Sequence, residues 1–463
     1  MNYERVVLEE VIIPKKDCTL TPVVLSDQTM QERKEKILIR MKEEGLDSIV
    51  VYADVEHGGN FEYLVGFIPR FEEALLVLHN TGEAYLVLGN ENLNKASYSR
   101  IPVTAIHAAH FSLPNQPMDT TEDIKTIIEK TKLKESSKVG LIGWKLFTSK
   151  AENNQGLFDI PYYIVSAIKE IVKDGFMINS ANIFIGENGA RTTNNVDEIA
   201  HYEFGASLAS DCMLDALNTI QVGVTEMELG DKLNRYGQRN SVVTIAATGE
   251  RFEKAYLYPK NKQIQLGDKM SLTVGYKGGL SSRGGYVVNE KEELPSEVVD
   301  YLEVVVKPYY NAICTWLEQL RCGMSGKEVY DLIERVLPKE QYHWHLCPGH
   351  LVGDEEWLAS PIYEESTELL KSGMLLQTDI IPSMKGYGGS SVESSICLAD
   401  ETLRNKMKQE NPELWNRMQL RKEYLKKELN IHLSEDVLPM CSTVAYLRPY
   451  LLDYRKAMKL KNE

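Results

Sequence analysis

The sequence predicts an α/β domain over residues 1–185 and an α+β domain over residues 186–463 made of two related halves. Three observations predict it. The first half alternates helix-period and strand-like apolar runs, as helices packed on a sheet do. Residues 186–195 are rich in Gly, Asn and Thr and have no apolar period, which marks a boundary. Beyond them, the turn Gly223-Val224-Thr225-Glu226 is echoed by Gly323-Met324-Ser325, each between two helical stretches, which points to an internal repeat.

Taken in order, residues up to about Asp27 form an irregular or short-strand lead-in. A helix is expected over Gln28–Glu44, with Met30, Ile37, Leu38 and Met41 on one face and Ser26 or Asp27 as its cap. Gly45 closes it. Leu46–Tyr52 reads as a buried strand, and Ala74–Leu78 and Ala84–Leu88 as two more, joined by the turn Asn80–Glu83. A helix over 121–131 and a strand over Val139–Ile142 continue the alternation. The second domain opens on a helix over Asp197–Thr219. Thr225 then caps the next helix, and strands are expected at 241–247, 270–276 and 284–288. Helices over 297–320 and 325–336 repeat the plan. A last helix is expected over 402–428.

At 463 residues, the chain exceeds one ordinary domain. It is 43% hydrophobic and 26% charged, enough to bury a core and keep a solvated surface. The net charge of −15 argues against nucleic acid or an anionic membrane surface as a partner. No apolar run is long enough to span a bilayer. Seven scattered cysteines without a CxxC pair fit reduced thiols in a cytoplasmic protein. Cys347, beside His350, reads as a packed thiol before it reads as a nucleophile.

The chemistry concentrates late in the chain. His343-Trp344-His345-Leu346-Cys347-Pro348-Gly349-His350 is a polar, His-rich turn. Asp379 and Glu393 each stand in an apolar or small-residue run that reads as a buried strand. A carboxylate there is costly unless something compensates its charge, so a His and two acids suggest a polar site inside a core.

The order Gly349-His350-Leu351-Val352-Gly353, then Gly373-Met374 leading into Asp379, then Glu393, resembles the creatinase/prolidase/methionine-aminopeptidase superfamily. Upstream, Leu266–Gly275 is similar to that family's Gly-Asp-…-Asp-x-Gly segment. The run Asn60–Phe67 with its flanking strands resembles the N-terminal domain of creatinase and prolidase. The resemblance implies a creatinase-like N-terminal domain and a "pita-bread" C-terminal domain. It also implies a homodimer in which Arg70 and Phe71 reach the partner's site.

The metallopeptidases of that superfamily hold two divalent metals with Asp, Asp, His, Glu and Glu. Carried over residue by residue, the first Asp falls on Thr273 and the second on Ser282 or Arg283. The His falls on His350, and the two Glu fall on Asp379 and Glu393. A substrate-positioning His falls on Tyr256 or Tyr258, and a further His near Leu358–Pro361 is missing. Two of four carboxylates are gone, and hydroxyls substitute poorly for bridging carboxylates.

The expectation is therefore a metal-independent, creatinase-like hydrolase of a C–N bond in a small metabolite, with a degenerate metal site and no cofactor. His350, Asp379, Glu393, Tyr256 and Arg283 would carry the chemistry. Arg70, Phe71, His345, Thr273 and Ser282 would contact substrate. One alternative is an Xaa-Pro peptidase-like metallohydrolase with an incomplete manganese or cobalt site. Another is a non-catalytic binding protein on the same fold.

Overall fold

A computed structural model describes residues 3–250 and 257–462. The chain divides into two units, one of residues 25–192 and one of 193 onward together with the segment up to Val24.

The 25–192 unit is built on a six-stranded sheet. Its strands run, edge to edge, Thr104–His107, Ala84–Leu88, Ala74–His79, Ser48–Ala53, Lys138–Ile142 and Phe176–Asn179. The two inner pairings, 48–53 with 74–79 and 74–79 with 84–88, are antiparallel. The outer strands join in parallel. The helices Ile124–Glu129 and Tyr162–Val172 place Ile127, Ile128, Ile164 and Ile168 against Val50, Leu75, Val77 and Val87. The second of these helices was not expected from the sequence. The opening helix, Asp27–Glu43, is capped by Ser26, whose side chain accepts from the Thr29 amide.

The other unit holds two four-stranded antiparallel sheets. One runs Ser391–Glu393, Gly279–Tyr286, Lys269–Tyr276, Ile245–Thr248. The other runs His350–Leu351, Leu375–Gln377, Ser395–Leu398, Val437–Pro439. The expected repeat is visible in the helix caps. Thr225 with Glu228, and Ser325 with Glu328, form the same reciprocal capping box. The helix Val196–Leu217 lays Leu208, Met213 and Leu217 on Met270, Leu272 and Val274.

The two sheets meet where the chain passes from one to the other at Ser394. The fully buried Gln377 amide spans the junction, donating to the Leu280 carbonyl at 2.9 Å and accepting from its N–H at 3.3 Å.

Two expectations are corrected here. The first 24 residues do not belong with the N-terminal domain, because Val6–Glu10 pairs with Lys456–Leu460 from the far end of the chain. The single helix over 402–428 is two helices, Glu401–Glu410 and Pro412–Glu428. Proline cannot donate the amide that would continue the first. The second is held by one buried ion pair, Arg421 Nη2 to Glu203 Oε1 at 2.6 Å, and two half-buried ones, Arg421 Nε to Asp17 Oδ2 at 2.6 Å and Arg417 Nη2 to Glu203 Oε2 at 3.0 Å. The closing extension is thereby part of the core. Among the described residues, no helix is long and apolar enough to cross a membrane.

Candidate active site

Strand register decides which side chains share a face. Across the first sheet, Thr273 stands opposite Ser282, and Ser282 opposite Glu393. Residues directly opposite point to the same side, so these three form one row. Thr273 Oγ1 donates to Ser282 Oγ at 2.9 Å, and both are buried. Of the two residues that the sequence left open for the second Asp position, Ser282 is the one in the row.

Arg283 is one residue along and so faces the other way. Its guanidinium is fully buried and donates to the carbonyls of Tyr446, Ser282, Glu393 and Thr443 and to Ser394 Oγ. It binds the Glu393 backbone rather than a carboxylate. The expected role of charge stabiliser for the site is corrected to that of a structural clamp at the sheet junction.

His350 and Asp379 come from the second sheet. His350 begins a strand paired with Gln377, and Asp379 lies two residues past the end of that partner strand. Gly349 precedes His350 with φ +121, a conformation side chains rarely adopt, and a Cβ there would stand 3.0 Å from the Gln377 carbonyl.

The His350 Nδ1–H donates to the Leu351 carbonyl at 3.1 Å. A carbonyl only accepts, so neutral His350 presents the lone pair of Nε2 to the site. Facing Nε2 are Glu356 Oε1 at 3.5 Å and Asp379 Oδ2 at 3.7 Å. The His350 side chain has 0% exposure and that of Asp379 7%. His350 Nε2 and Asp379 Oδ1 are buried without a hydrogen-bond partner. Three acceptors thus converge with no donor between them, which requires a proton or a cation.

The acids respond to this setting. Burial pushes the Asp379 carboxyl up to about 6, with His350 opposing the rise and Glu356 adding to it. Burial, then Asp379, push Glu393 well above the carboxylate range, although the Ser391 hydroxyl donates to it at 2.9 Å.

A carboxyl whose folded pKa exceeds its unfolded value favours folding while protonated, and that advantage is lost as pH rises through the window from about 4 to about 6. Metal-free protein carrying Asp379→Asn is therefore expected to be the more stable at pH 7, by up to about 3 kcal/mol, with no gain below about pH 4. Urea denaturation across pH checks this, and a gain that does not change with pH would contradict it.

The remaining site residues are less central. His345 is exposed on the loop before Gly349 rather than buried with His350. Arg70 is exposed, its guanidinium 4.6 Å above the exposed ring of Phe71. Tyr256 lies outside the described residues. Burial pushes the Cys347 thiol up to about 11, as a packed thiol's would be. Two residues escaped sequence reasoning. Glu356 belongs to no recognised motif. Trp357 stacks on the His350 ring with centroids 4.2 Å apart and planes at 22°.

Residues 200–398 match metallopeptidase family M24. Over that stretch, under half of its length, the chain is similar to the metallopeptidase domain of the creatinase/prolidase/aminopeptidase superfamily. An uncharacterized peptidase of Staphylococcus aureus (strain USA300) is 21% identical over 259 residues, 54% of this chain and 72% of that protein. The Xaa-Pro dipeptidase from Bacillus anthracis superposes with TM-score 0.60 at 19% identity, covering 80% of this chain and 96% of that one. The prolidase from Pyrococcus furiosus superposes with TM-score 0.59 at 19% identity, covering 78% and 96%. These likenesses give the chain a pita-bread fold, with a metallopeptidase-type domain over residues 200–398.

The match also corrects the expectation of a reaction without a cofactor, since the family is one of metallopeptidases. The main functional expectation, metal independence, gives way to the metallohydrolase alternative. The residues present fit one cation better than two. Two of the five ligand positions carry Thr273 and Ser282, whose neutral hydroxyls are engaged with each other. Yet His350 Nε2 and Asp379 Oδ1 are orphaned donor atoms of the type a divalent cation takes. A first-row cation bonded at its usual lengths to one nitrogen and one oxygen sets them about 3–4 Å apart, and His350 Nε2 stands 3.7 Å from Asp379 Oδ2, the other oxygen of that carboxyl, and 3.5 Å from Glu356 Oε1. As the side chains stand, no group of three or more His, Cys, Asp or Glu among the described residues could hold a metal ion. Loading therefore calls for side-chain movement.

Proposed function

We propose that this chain is a hydrolase of the C–N bond in small peptides of the Xaa-Pro type, working with one divalent cation on His350 and Asp379. The observation that carries this reading is the pair of buried, unpartnered atoms, His350 Nε2 and Asp379 Oδ1, inside a domain that matches a metallopeptidase family. The printed names of the structural relatives, Xaa-Pro dipeptidase and prolidase, support the substrate class.

When bound, the cation supplies Lewis acidity toward a carbonyl and a more acidic water. The chain's own residues do the rest. The Leu351 carbonyl fixes the His350 tautomer, so that Nε2 offers its lone pair. Glu393, at the buried end of the row, holds a proton beyond the ordinary carboxylate range and is suited to pass it to the departing amine. Ser282 accepts the Thr273 hydroxyl proton and so keeps its own for a substrate oxygen.

The test is a panel of Xaa-Pro and Xaa-Ala dipeptides against protein loaded with manganese or cobalt. Turnover of Xaa-Pro members is expected. Protein holding one equivalent of metal yet silent on every member would overturn the substrate class.

Arg70 and Phe71 are proposed to serve the site of a second copy in a homodimer, where the exposed guanidinium is suited to a substrate carboxylate. An Arg70→Ala variant with unchanged KM would remove that role.

A further inference from the structure

A cavity of about 120 Å³ lies in the same unit as the candidate active site but shares no lining residue with it. We infer that this cavity binds a small apolar α-amino acid, and that its occupancy reaches the active site through Lys277.

Three parts of the chain build it. The helix Val196–Leu217 supplies His201 and Phe204, the turn between Lys269–Tyr276 and Gly279–Tyr286 supplies Lys277, and Pro22 and Val23 of the lead-in segment close over them. Gly205 lets the helix lie directly against that turn, because a Cβ there would overlap the Lys277 carbonyl. The His201 Nδ1–H donates to the Val23 carbonyl at 2.6 Å, which pins the lead-in in place. Pro22, Val23 and Phe204 make the interior apolar, while His201, Arg239 and Lys277 bring polar atoms to it.

These groups define a ligand class. An apolar cavity of about 150 Å³ takes benzene, so this one admits a single branched aliphatic group or small ring. Arg239 and Lys277 are cations and favour a carboxylate. His201 favours a donor instead. Its Nδ1–H is used by Val23, so the neutral ring offers the Nε2 lone pair, which no hydrogen bond reaches among the described residues. An ammonium suits that lone pair. A carboxylate, an ammonium and a small apolar group on one carbon together make an apolar α-amino acid.

Lys277 also supports the loop over His350. Its Nζ stands 3.4 Å from Asp354 Oδ1, and the hydroxyl of Tyr202, which follows His201 in the helix, donates to Asp354 Oδ2 at 3.1 Å. The Gly278 amide donates to the Gly353 carbonyl at 2.7 Å. From there the chain folds back, with the Leu351 amide donating to the Ala359 carbonyl at 2.7 Å, and lays Trp357 on the His350 ring. A ligand carboxylate draws on the same ammonium as Asp354, so binding loosens the foot of that loop.

The experiment uses the full chain and L-valine, with binding followed by isothermal titration calorimetry. Wild type is expected to bind L-valine, and His350→Gln to bind it equally well. Isovalerate, which lacks the ammonium, and isobutylamine, which lacks the carboxylate, are expected to bind about ten-fold or more weakly. The same loss is expected for L-valine with Lys277→Gln and with Val23→Phe, which fills the cavity. Tryptophan fluorescence is expected to change as L-valine binds wild type, and not to change in Trp357→Phe. Circular dichroism confirms that each variant is folded.

If wild type binds no L-valine at millimolar concentration, or if folded Lys277→Gln and Val23→Phe bind it unchanged, the site is overturned. Binding that His350→Gln abolishes would place the amino acid in the active site and overturn it too. Isovalerate and isobutylamine binding as well as L-valine would overturn the ligand class with no variant needed. Binding without the fluorescence change overturns the link to the loop and leaves the site. None of these outcomes depends on turnover, so the peptide-hydrolase reading is decided separately by the dipeptide panel.

Discussion

Replacing His350 by Gln is expected to lower kcat/KM on an Xaa-Pro dipeptide by on the order of 10³-fold, within the range for losing a group that acts directly at the reaction centre. Gln approximates the length of the imidazole but presents an amide, a much poorer cation ligand than Nε2. The loss is not one of folding. The ring makes one hydrogen bond, from Nδ1 to the Leu351 carbonyl, and stacks on Trp357, and removing it also removes a buried acceptor facing two carboxylates, so the thermal midpoint is expected to move little. Steady-state kinetics and a melting curve on the same preparation check both halves. Retained turnover in a folded His350→Gln would remove the residue from the mechanism.

Arg283→Met is expected to do the opposite, costing stability rather than chemistry. The guanidinium is the common donor for three carbonyls on two other segments: Tyr446 at 2.9 Å and Thr443 at 2.6 Å on one, and Glu393 at 2.9 Å on the other. Methionine fills the space but leaves these acceptors buried and unpaired, each at a cost of about 1–3 kcal/mol before relaxation. A total loss of about 3–5 kcal/mol in urea denaturation is expected, within the upper range for a single substitution. Restoring stability by a condition such as trimethylamine N-oxide is expected to restore activity with it. A stable Arg283→Met protein that has lost only turnover would return the residue to the chemistry.

The contrast between these two residues shows what was legible in the sequence. His350, Asp379 and Glu393 are legible as candidates because each stands out from its surroundings: a His closing a polar, His-rich turn in a Gly-His pair, and acids inside buried runs. The capped helices were legible too, since Thr225 with Glu228 and Ser325 with Glu328 are local signals three residues apart. Arg283 was misjudged because a strand's faces alternate, and a one-residue ambiguity in register moves a side chain through the sheet. Only pairing with Glu393 and Thr273 resolves it.

Glu356 was invisible for a related reason. Its approach to His350 depends on a hairpin that ties Leu351 to Ala359, and nothing in the residues 353–357 announces that loop. The placement of Val6–Glu10 against Lys456–Leu460 is longer-range still, joining the two ends of the chain by a register no local rule predicts. The cofactor expectation failed on chemistry rather than position. Losing two acids removes one metal's bridging oxygens, but three acceptors facing one another still require positive charge.

That requirement is the centre of the account, and diffraction from crystals grown with cobalt or manganese tests it most directly. One anomalous peak per chain is predicted, within bonding distance of His350 Nε2 and an Asp379 oxygen. Two peaks, with Thr273 or Ser282 among the ligands, or a proton-bridged cluster with no peak at full metal saturation, would contradict it.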